Sequence, residues 1–185
     1  MTSAAAAGAA RTAHTADLTA AELHAVRALL EDAFDGDLAD EDWEHALGGV
    51  HVLVHDEAGR LAGHGSVVMR RVRHRDRWLR VGYIEAVAVR ADQRRRGLGG
   101  RVMAELERIV DRAYDAGMLS ASDEGAALYA ARGWQVWPGR ICALGVDGVV
   151  RLPDEEGSTF VRPALAGPLD PAFELVFDWR DGDVL

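Results

Sequence analysis

Glu85 stands inside an apolar run, Tyr83-Ile-Glu-Ala-Val-Ala-Val89, and a cluster of arginines and glycines, Arg94-Arg-Arg-Gly97-Leu-Gly99, follows after four residues. A carboxylate inside an apolar strand is costly unless it is paired or has a chemical task. The two readings of Glu85 are a proton acceptor and a buried ion pair with Arg70, Arg71 or Arg80. The arginine–glycine turn leads into a strongly helical segment. Such a turn presents backbone N–H groups and the positive end of a helix dipole, which is phosphate-binding chemistry. Acidic side chains recur in separate loops: Asp35, Asp37 and Asp42; Asp154, Glu155 and Glu156; Asp181 and Asp183. Carboxylates spaced around a site take charge-assisted hydrogen bonds from a cationic ligand, and equally an acidic run can simply face solvent.

Other chemistries lack their residues. The turn is not a P-loop, whose lysine has no counterpart in a chain without lysine. It is not a dinucleotide fingerprint either, because Val102 occupies the place of the third glycine. The histidines form no H-E-x-x-H or Cys/His pattern, so no metal is expected. His51 and His55 share a strand face without a third ligand. Ser120 has neither a G-x-S-x-G elbow nor a His/Asp arrangement, which leaves a polar substrate contact or a strand-end cap. The tryptophans pave a sugar site or fill the core.

The 185-residue chain fits one domain, with residues 1–16 a flexible N-terminus and 17–185 the folded body. Met1–Ala10 is alanine-rich without a basic leader region and does not read as a signal peptide. No apolar run reaches about 18 residues, so no membrane partner is expected. A net charge of −9 argues against nucleic acid and favours a cationic small molecule. The single cysteine, Cys142, excludes an internal disulfide and fits a reducing, cytoplasmic setting as a small buried hydrophobe.

The elements that must position these residues follow from periodicity and caps. Thr19-Ala-Ala-Glu22 reads as a capping box opening a helix whose face carries Leu23, Val26, Leu29, Leu30, Ala33 and Phe34. Strands are predicted at Val50–His55, Leu61–Arg70 and Trp78–Val89. A long helix runs from Leu98 to Ala116, with Val102, Leu106, Ile109, Val110 and Ala113 inward and Gly117 as its stop. A short strand at Met118–Ala121 precedes a helix capped by Ser122 or Asp123. Trp134–Trp137, Ile141–Val146, Val149–Arg151, Thr159–Val161 and Leu175–Trp179 complete a strand-rich second half. The order indicates an α+β fold with a mixed central sheet flanked by helices.

Two of these segments carry a resemblance. Arg94–Gly99 matches [QR]-x-x-G-x-[GA], and Leu128-Tyr129-Ala-Ala-Arg-Gly133-Trp134 resembles the "LYxxxGF" segment; both look like the GCN5-related N-acetyltransferases (GNAT). Further blocks resemble the aminoglycoside 2′-N-acetyltransferases of actinobacteria. They are Phe34-Asp-Gly-Asp37, Asp42-Trp-Glu-His45, Leu47-Gly-Gly49, Gly82-Tyr-Ile-Glu85, Arg132-Gly-Trp134, Pro153-Asp-Glu-Glu-Gly157, and Asp178-Trp-Arg180 with Gly182-Asp183.

The resemblance implies an acetyl-CoA-dependent transfer to the 2′-amine of an aminoglycoside, in a ternary complex and without metal. Backbone groups of Val87, Ala88 and Val89 hold the pantetheine arm, and the Val87 N–H faces the thioester carbonyl. Backbone N–H groups of Arg94, Arg95, Arg96, Gly97, Leu98 and Gly99 bind the pyrophosphate. Asp37, Glu85, Ala86, Ser120, Asp154 and Glu155 line the aminoglycoside site, with Asp42 and Asp183 as further candidates. Glu85 acts as base through water, and Tyr129 as acid on the sulfur. Taken alone, Tyr129 also reads as a core tyrosine beside Leu128. A bulge near Ala86–Val87 would supply an oxyanion donor. A homodimer is an assembly the sequence leaves open. Glu155 and Leu185 depart from the aspartate and tryptophan it would place there. Two alternatives remain: an acetyltransferase of the same fold for kasugamycin, a polyamine or a protein N-terminus, and a non-catalytic module that binds acyl-CoA or an aminoglycoside.

Overall fold

The computed structural model describes residues 9–185. Two compact units emerge, one made of residues up to Val68 together with Ile84–Glu107, the other of Met69–Tyr83 together with Arg108–Leu185. The sequence shows no linker because the division passes through the middle of two strands, where no composition change marks it.

Unit 1 holds β1 (Ala10–His14), α1 (Ala20–Ala33), α2 (Asp40–His45), β2 (Val50–His55), the first part of β3 (Leu61–His74), the last part of β4 (Arg77–Val89) and most of α3 (Leu98–Ala113). β1 runs antiparallel to β2 from Ala10↔Val54 to His14↔Val50, and β2 antiparallel to β3 from Val50↔Val67 to His55↔Leu61. The strand at Ala10–His14 falls where a flexible terminus is expected; residues 1–8 of that segment lie outside the described residues. α1 begins as its capping box predicts. The Glu22 N–H donates to Thr19 Oγ1 at 3.2 Å, and the Thr19 N–H donates to Glu22 Oε2 at 2.8 Å. Val26, Leu29 and Leu30 are buried with Leu18, Leu53 and Ala88, and Leu23, Ala33, Trp43 and Ala86 pack against them. Phe34, expected on this face, is exposed beyond the last turn. α2 has no apolar period; its acidic first turn (Asp40, Glu41, Asp42) suits the positive helix end.

Unit 2 is strand-rich. The end of β3 pairs antiparallel with β10 (Leu175–Asp178), which pairs parallel with β7 (Ile141–Gly145), and β7 pairs antiparallel with β8 (Gly148–Arg151). The first part of β4 pairs parallel with β5 (Ala116–Ser120), β5 antiparallel with β9 (Thr159–Pro163), and β9 with β6 (Gln135–Val136). Parallel and antiparallel pairs thus share a mixed sheet, as expected of the α+β class. α4 (Asp123–Ala131) is capped by Ser122, whose Oγ accepts from the Gly125 N–H at 3.3 Å.

Two expectations need correction. α3 ends at Ala113, which is exposed, and Gly117 lies inside β5 rather than terminating the helix. A Cβ at Gly117 would stand 2.9 Å from Trp134 Cη2 and 2.9 Å from Val110 Cγ1, so close packing of the strand explains this glycine. The tryptophans also divide: Trp134 and Trp137 are buried, whereas Trp78 and Trp179 are exposed. Cys142 is buried, and burial pushes its thiol up.

Candidate functional site

The residues singled out above fall into two groups, one in each unit. In unit 1, Glu85, Ala86 and Val87 follow one another on β4, all half-buried, with Ala88 buried behind them. Glu85 is therefore not sealed in an apolar strand. Ala86 has φ 52°, the left-handed region, in mid-strand. For a residue with a Cβ that conformation costs about 1–2 kcal/mol, and its place next to Glu85 makes this strain a functional signal. It falls where the sequence suggests a bulge near Ala86–Val87, and the observed feature is the left-handed residue itself. The Glu85 carbonyl accepts from Ser66 Oγ at 3.5 Å, and the Ala86 carbonyl from His64 Nδ1 at 2.9 Å.

The arginine–glycine turn follows in the same unit. Arg95 (φ 61°) and Gly97 (φ 78°) both adopt the left-handed region, an alternation that gathers peptide N–H groups into an anion-binding concavity. The Arg101 N–H donates to the Gly97 carbonyl at 3.1 Å, so α3 starts there, and its first N–H groups have no acceptor within the helix. A Cβ at Gly97 would meet no atom within 4 Å, so backbone geometry rather than crowding demands glycine. The side chains of Arg94, Arg95 and Arg96 are exposed, which leaves the backbone as the built part of the loop.

What anchors this loop is Arg90, a residue without a local sequence signal. Its guanidinium reaches Asp56 Oδ2 at 2.6 Å, Asp92 Oδ1 at 2.6 Å and the Leu61 carbonyl at 2.8 Å. Those bonds hold the Asp56 carboxyl well below the usual carboxylate range and pull Asp92 down to about 2.

The acidic segment of unit 1 is partly structural. Arg27 pairs with Glu31 at 3.0 Å and Asp40 at 2.5 Å, and Asp42 Oδ2 accepts the Ala39 N–H at 3.0 Å as a helix cap. Asp37 is exposed just after a left-handed pair, Asp35 and Gly36.

In unit 2 the structure brings Ser120 and Glu155 together. Ser120 Oγ lies 3.0 Å from Glu155 Oε2 and 3.3 Å from Ser158 Oγ. Ser158 Oγ and Thr159 Oγ1 both donate to the Glu155 carbonyl, at 3.1 and 3.0 Å. The Ser120 hydroxyl thus holds the Glu155 carboxylate at the end of β5. Asp154 is exposed beside Glu155 on a single 3-10 turn.

Tyr129 is 8% exposed, between Trp134 (ring centroids 6.4 Å apart) and Phe160 (6.0 Å). Burial pushes its phenol up to about 12, so it stays a hydrogen-bond donor throughout the neutral range. Asp183 is exposed in the segment that follows β10, and its carbonyl accepts from Arg180 Nε at 3.2 Å. Buried Arg70 carries that segment: it bonds Asp178 Oδ1 at 2.8 Å and the Val184 carbonyl at 2.5 Å. Arg80 engages Asp115 instead. Two of the three arginines offered as ion-pair partners for Glu85 are therefore committed within unit 2. Among the described residues no group of three or more His, Cys, Asp or Glu side chains is placed to hold a metal.

A left-handed residue within a strand, a left-handed arginine–glycine turn and the helix it opens are the features of an acyl-CoA-dependent acyltransferase of the GNAT class. The chain belongs to that family: the model of the acetyltransferase (GNAT) domain matches residues 14–137. It is 46% identical over 178 residues to an aminoglycoside 2′-N-acetyltransferase of Mycolicibacterium fortuitum, covering 95% of this chain and 91% of that protein. Among solved structures it resembles the GNAT family N-acetyltransferase YhbS of Escherichia coli, in complex with CoA, with TM-score 0.66 and 19% identity over 98% of this chain and 94% of that one. An acyl-CoA N-acyltransferase of Pseudomonas aeruginosa matches with TM-score 0.58 and 18% identity over 83% and 98%.

Proposed function

We propose that this chain transfers the acetyl group of acetyl-CoA to the 2′-amine of an aminoglycoside. The observation that carries the reading is the 46% identity, over nearly the whole chain, to a protein named for that reaction. The residues of unit 1 fit the cosubstrate. Backbone N–H groups from Arg95 to Gly99 face a pyrophosphate, whereas that of Arg94, expected among them, donates to the Ala91 carbonyl at 3.3 Å; Val87, Ala88 and Val89 offer strand hydrogen bonds to the pantetheine arm.

The amine must be neutral before it attacks. Glu85 accepts its proton through a water molecule. As the nitrogen adds to the thioester carbonyl, negative charge grows on oxygen, and the Val87 N–H is the donor that meets it. Collapse expels the CoA sulfur, which takes a hydrogen bond from the Tyr129 phenol. Asp37, Asp42, Asp154, Glu155 and Asp183, with Ser120 and the Ala86 backbone, take the ammonium and hydroxyl groups of the polycation.

We also propose a cytoplasmic homodimer; among the described residues no helix is long and apolar enough to cross a membrane. Light scattering on purified protein tests the dimer. A thiol-release assay with acetyl-CoA against a panel of amines tests the reaction. Turnover with kanamycin- or tobramycin-like compounds, and none with a 2′-hydroxyl analogue, is the expected result. Turnover only with kasugamycin, polyamines or peptide N-termini would replace the substrate, and acetyl-CoA binding with no turnover would leave a binding module.

A further inference from the structure

A file of polar groups crosses the interior of unit 1, from the turn at Gly48 to the left-handed residue Ala86. The Gly48 N–H donates to Thr15 Oγ1 at 2.9 Å, and Thr15 Oγ1 lies 2.8 Å from His51 Nε2. His51 Nδ1 lies 2.9 Å from His64 Nε2, and His64 Nδ1 lies 2.9 Å from the Ala86 carbonyl oxygen. Both rings are fully buried, on the apolar strands β2 and β3.

The direction of every bond in the file is determined. A carbonyl oxygen only accepts, so His64 carries its proton on Nδ1. Burial holds both rings in the neutral form, far below their usual protonation range. The neutral His64 ring then accepts at Nε2, which requires His51 to donate from Nδ1. His51 in turn accepts at Nε2 from the Thr15 hydroxyl, which leaves the longer contact of that hydroxyl to the Gly49 carbonyl, 3.3 Å, as a secondary one. All donors point toward Ala86, an arrangement in which each bond polarises the next.

The end of the file is a peptide group that matters. The Ala86 carbonyl and the Val87 N–H belong to one planar trans peptide, so they point in opposite directions. Holding the carbonyl therefore aims the N–H. We infer that His64, backed by His51 and Thr15, is a positioning residue of the acetyl transfer: it clamps the strained Ala86 peptide so that the Val87 N–H faces the thioester oxygen. This rests on the acetyl-transfer reading proposed above.

The test combines kinetics with the spectrum of the rings. Removing an oxyanion donor outright lowers kcat by about 10²–10³-fold, and mis-aiming one should cost less, roughly tenfold. His64→Leu should lower kcat by that amount and leave KM for acetyl-CoA and for the amine within about twofold, because the lost interaction belongs to the transition state. His64→Asn places an amide N–H near the position of Nδ1 and should recover most of kcat. A loss caused by poor packing would not be rescued in this way, since asparagine fills the site less well than leucine. In the parental protein, nitrogen-15 NMR should show both rings as neutral Nδ1–H tautomers at pH 7. A folded His64→Leu with parental kcat, or an Nε2–H tautomer on either ring, overturns the inference. Should His64→Leu not fold, the asparagine variant and the tautomers decide. A parental protein that releases no thiol with any amine refutes the acetyl-transfer reading instead, and the tautomers still test the file.

Discussion

Arg70→Met should loosen the end of unit 2. Arg70 is 3% exposed, and its guanidinium makes three bonds: Nε to Asp178 Oδ1, Nη2 to the Asp178 carbonyl and Nη1 to the Val184 carbonyl. It also lies 5.2 Å from the Tyr83 ring centroid and 5.3 Å from that of Phe177. Methionine keeps an apolar stem against those rings but leaves two carbonyls without this donor and the carboxylate with the Arg71 N–H, 3.3 Å from Oδ2. Breaking a buried ion pair costs about 3–5 kcal/mol. The Asp178 side chain is 42% exposed, so water recovers part of its loss, and the net cost should be about 2–3 kcal/mol. In a chain of this length that corresponds to a fall in Tm of about 5–10 °C. Arg70→Lys keeps the charge but cannot make the three-way fork, and should fall between. Urea unfolding followed by circular dichroism gives the free energies, and a cycle with Asp178→Asn should return a coupling above about 1 kcal/mol. Because the same guanidinium holds the segment that carries Asp183, KM for the aminoglycoside should rise while KM for acetyl-CoA stays constant. A Tm within about 2 °C of the parent, with additive single and double variants, would refute the anchoring role.

Four further outcomes are expected. Gly97→Pro and Gly99→Asp should each weaken acetyl-CoA binding at least tenfold, about 1.4 kcal/mol, and Arg95→Ala less; titration calorimetry reads this directly. The double change Asp154→Asn/Glu155→Gln should raise KM for the aminoglycoside and leave KM for acetyl-CoA alone, with added salt mimicking part of the effect, in steady-state kinetics. Glu85→Gln should lower kcat most at low pH and recover as solvent supplies neutral amine, whereas Tyr129→Phe should lower it across the pH–rate profile, because a phenol pushed up to about 12 remains a donor throughout. His51 and His64 are pushed down from 6.5 to about 4 and about 3 by burial. The unfolded chain takes up protons below its ordinary histidine value that the folded chain does not accept until lower pH, so stability falls on acidification through that window. The slope is up to about 1.4 kcal/mol per pH unit per ring, and His64→Asn should flatten it in urea melts at stepped pH.

The parts of the fold that the sequence made legible are those with a local cause. Thr19 and Glu22 mark the start of α1 because a capping box closes within four residues. The turn at Arg94–Gly99 is readable because its glycines and the helix that follows are local signals. α2 was not readable, since three acids and no apolar period carry no helical signature without the turn that precedes them. β1 is a strand through its pairing with β2, not through its own weak β-formers. Gly117 resembles a helix stop by position, and only the rings of its neighbours reveal a packing glycine. Among the site residues, Glu85 stood out as a charge in an apolar run. His51 and His64 sit in runs of the same kind and could have been singled out by that criterion. Arg70 and Arg90 act on groups far away in sequence, 108 residues away for Arg70–Asp178 and 34 for Arg90–Asp56. No spacing rule reaches them.

The measurement closest to the central claim is the structure of the product made from acetyl-CoA and a 2′-amino aminoglycoside. Two-dimensional NMR of that product should show a single new acetamide at the 2′-nitrogen, with one CoA thiol released per acetyl transferred. An acetyl group at any other ring position, or thiol release without acetylated sugar, would contradict the account.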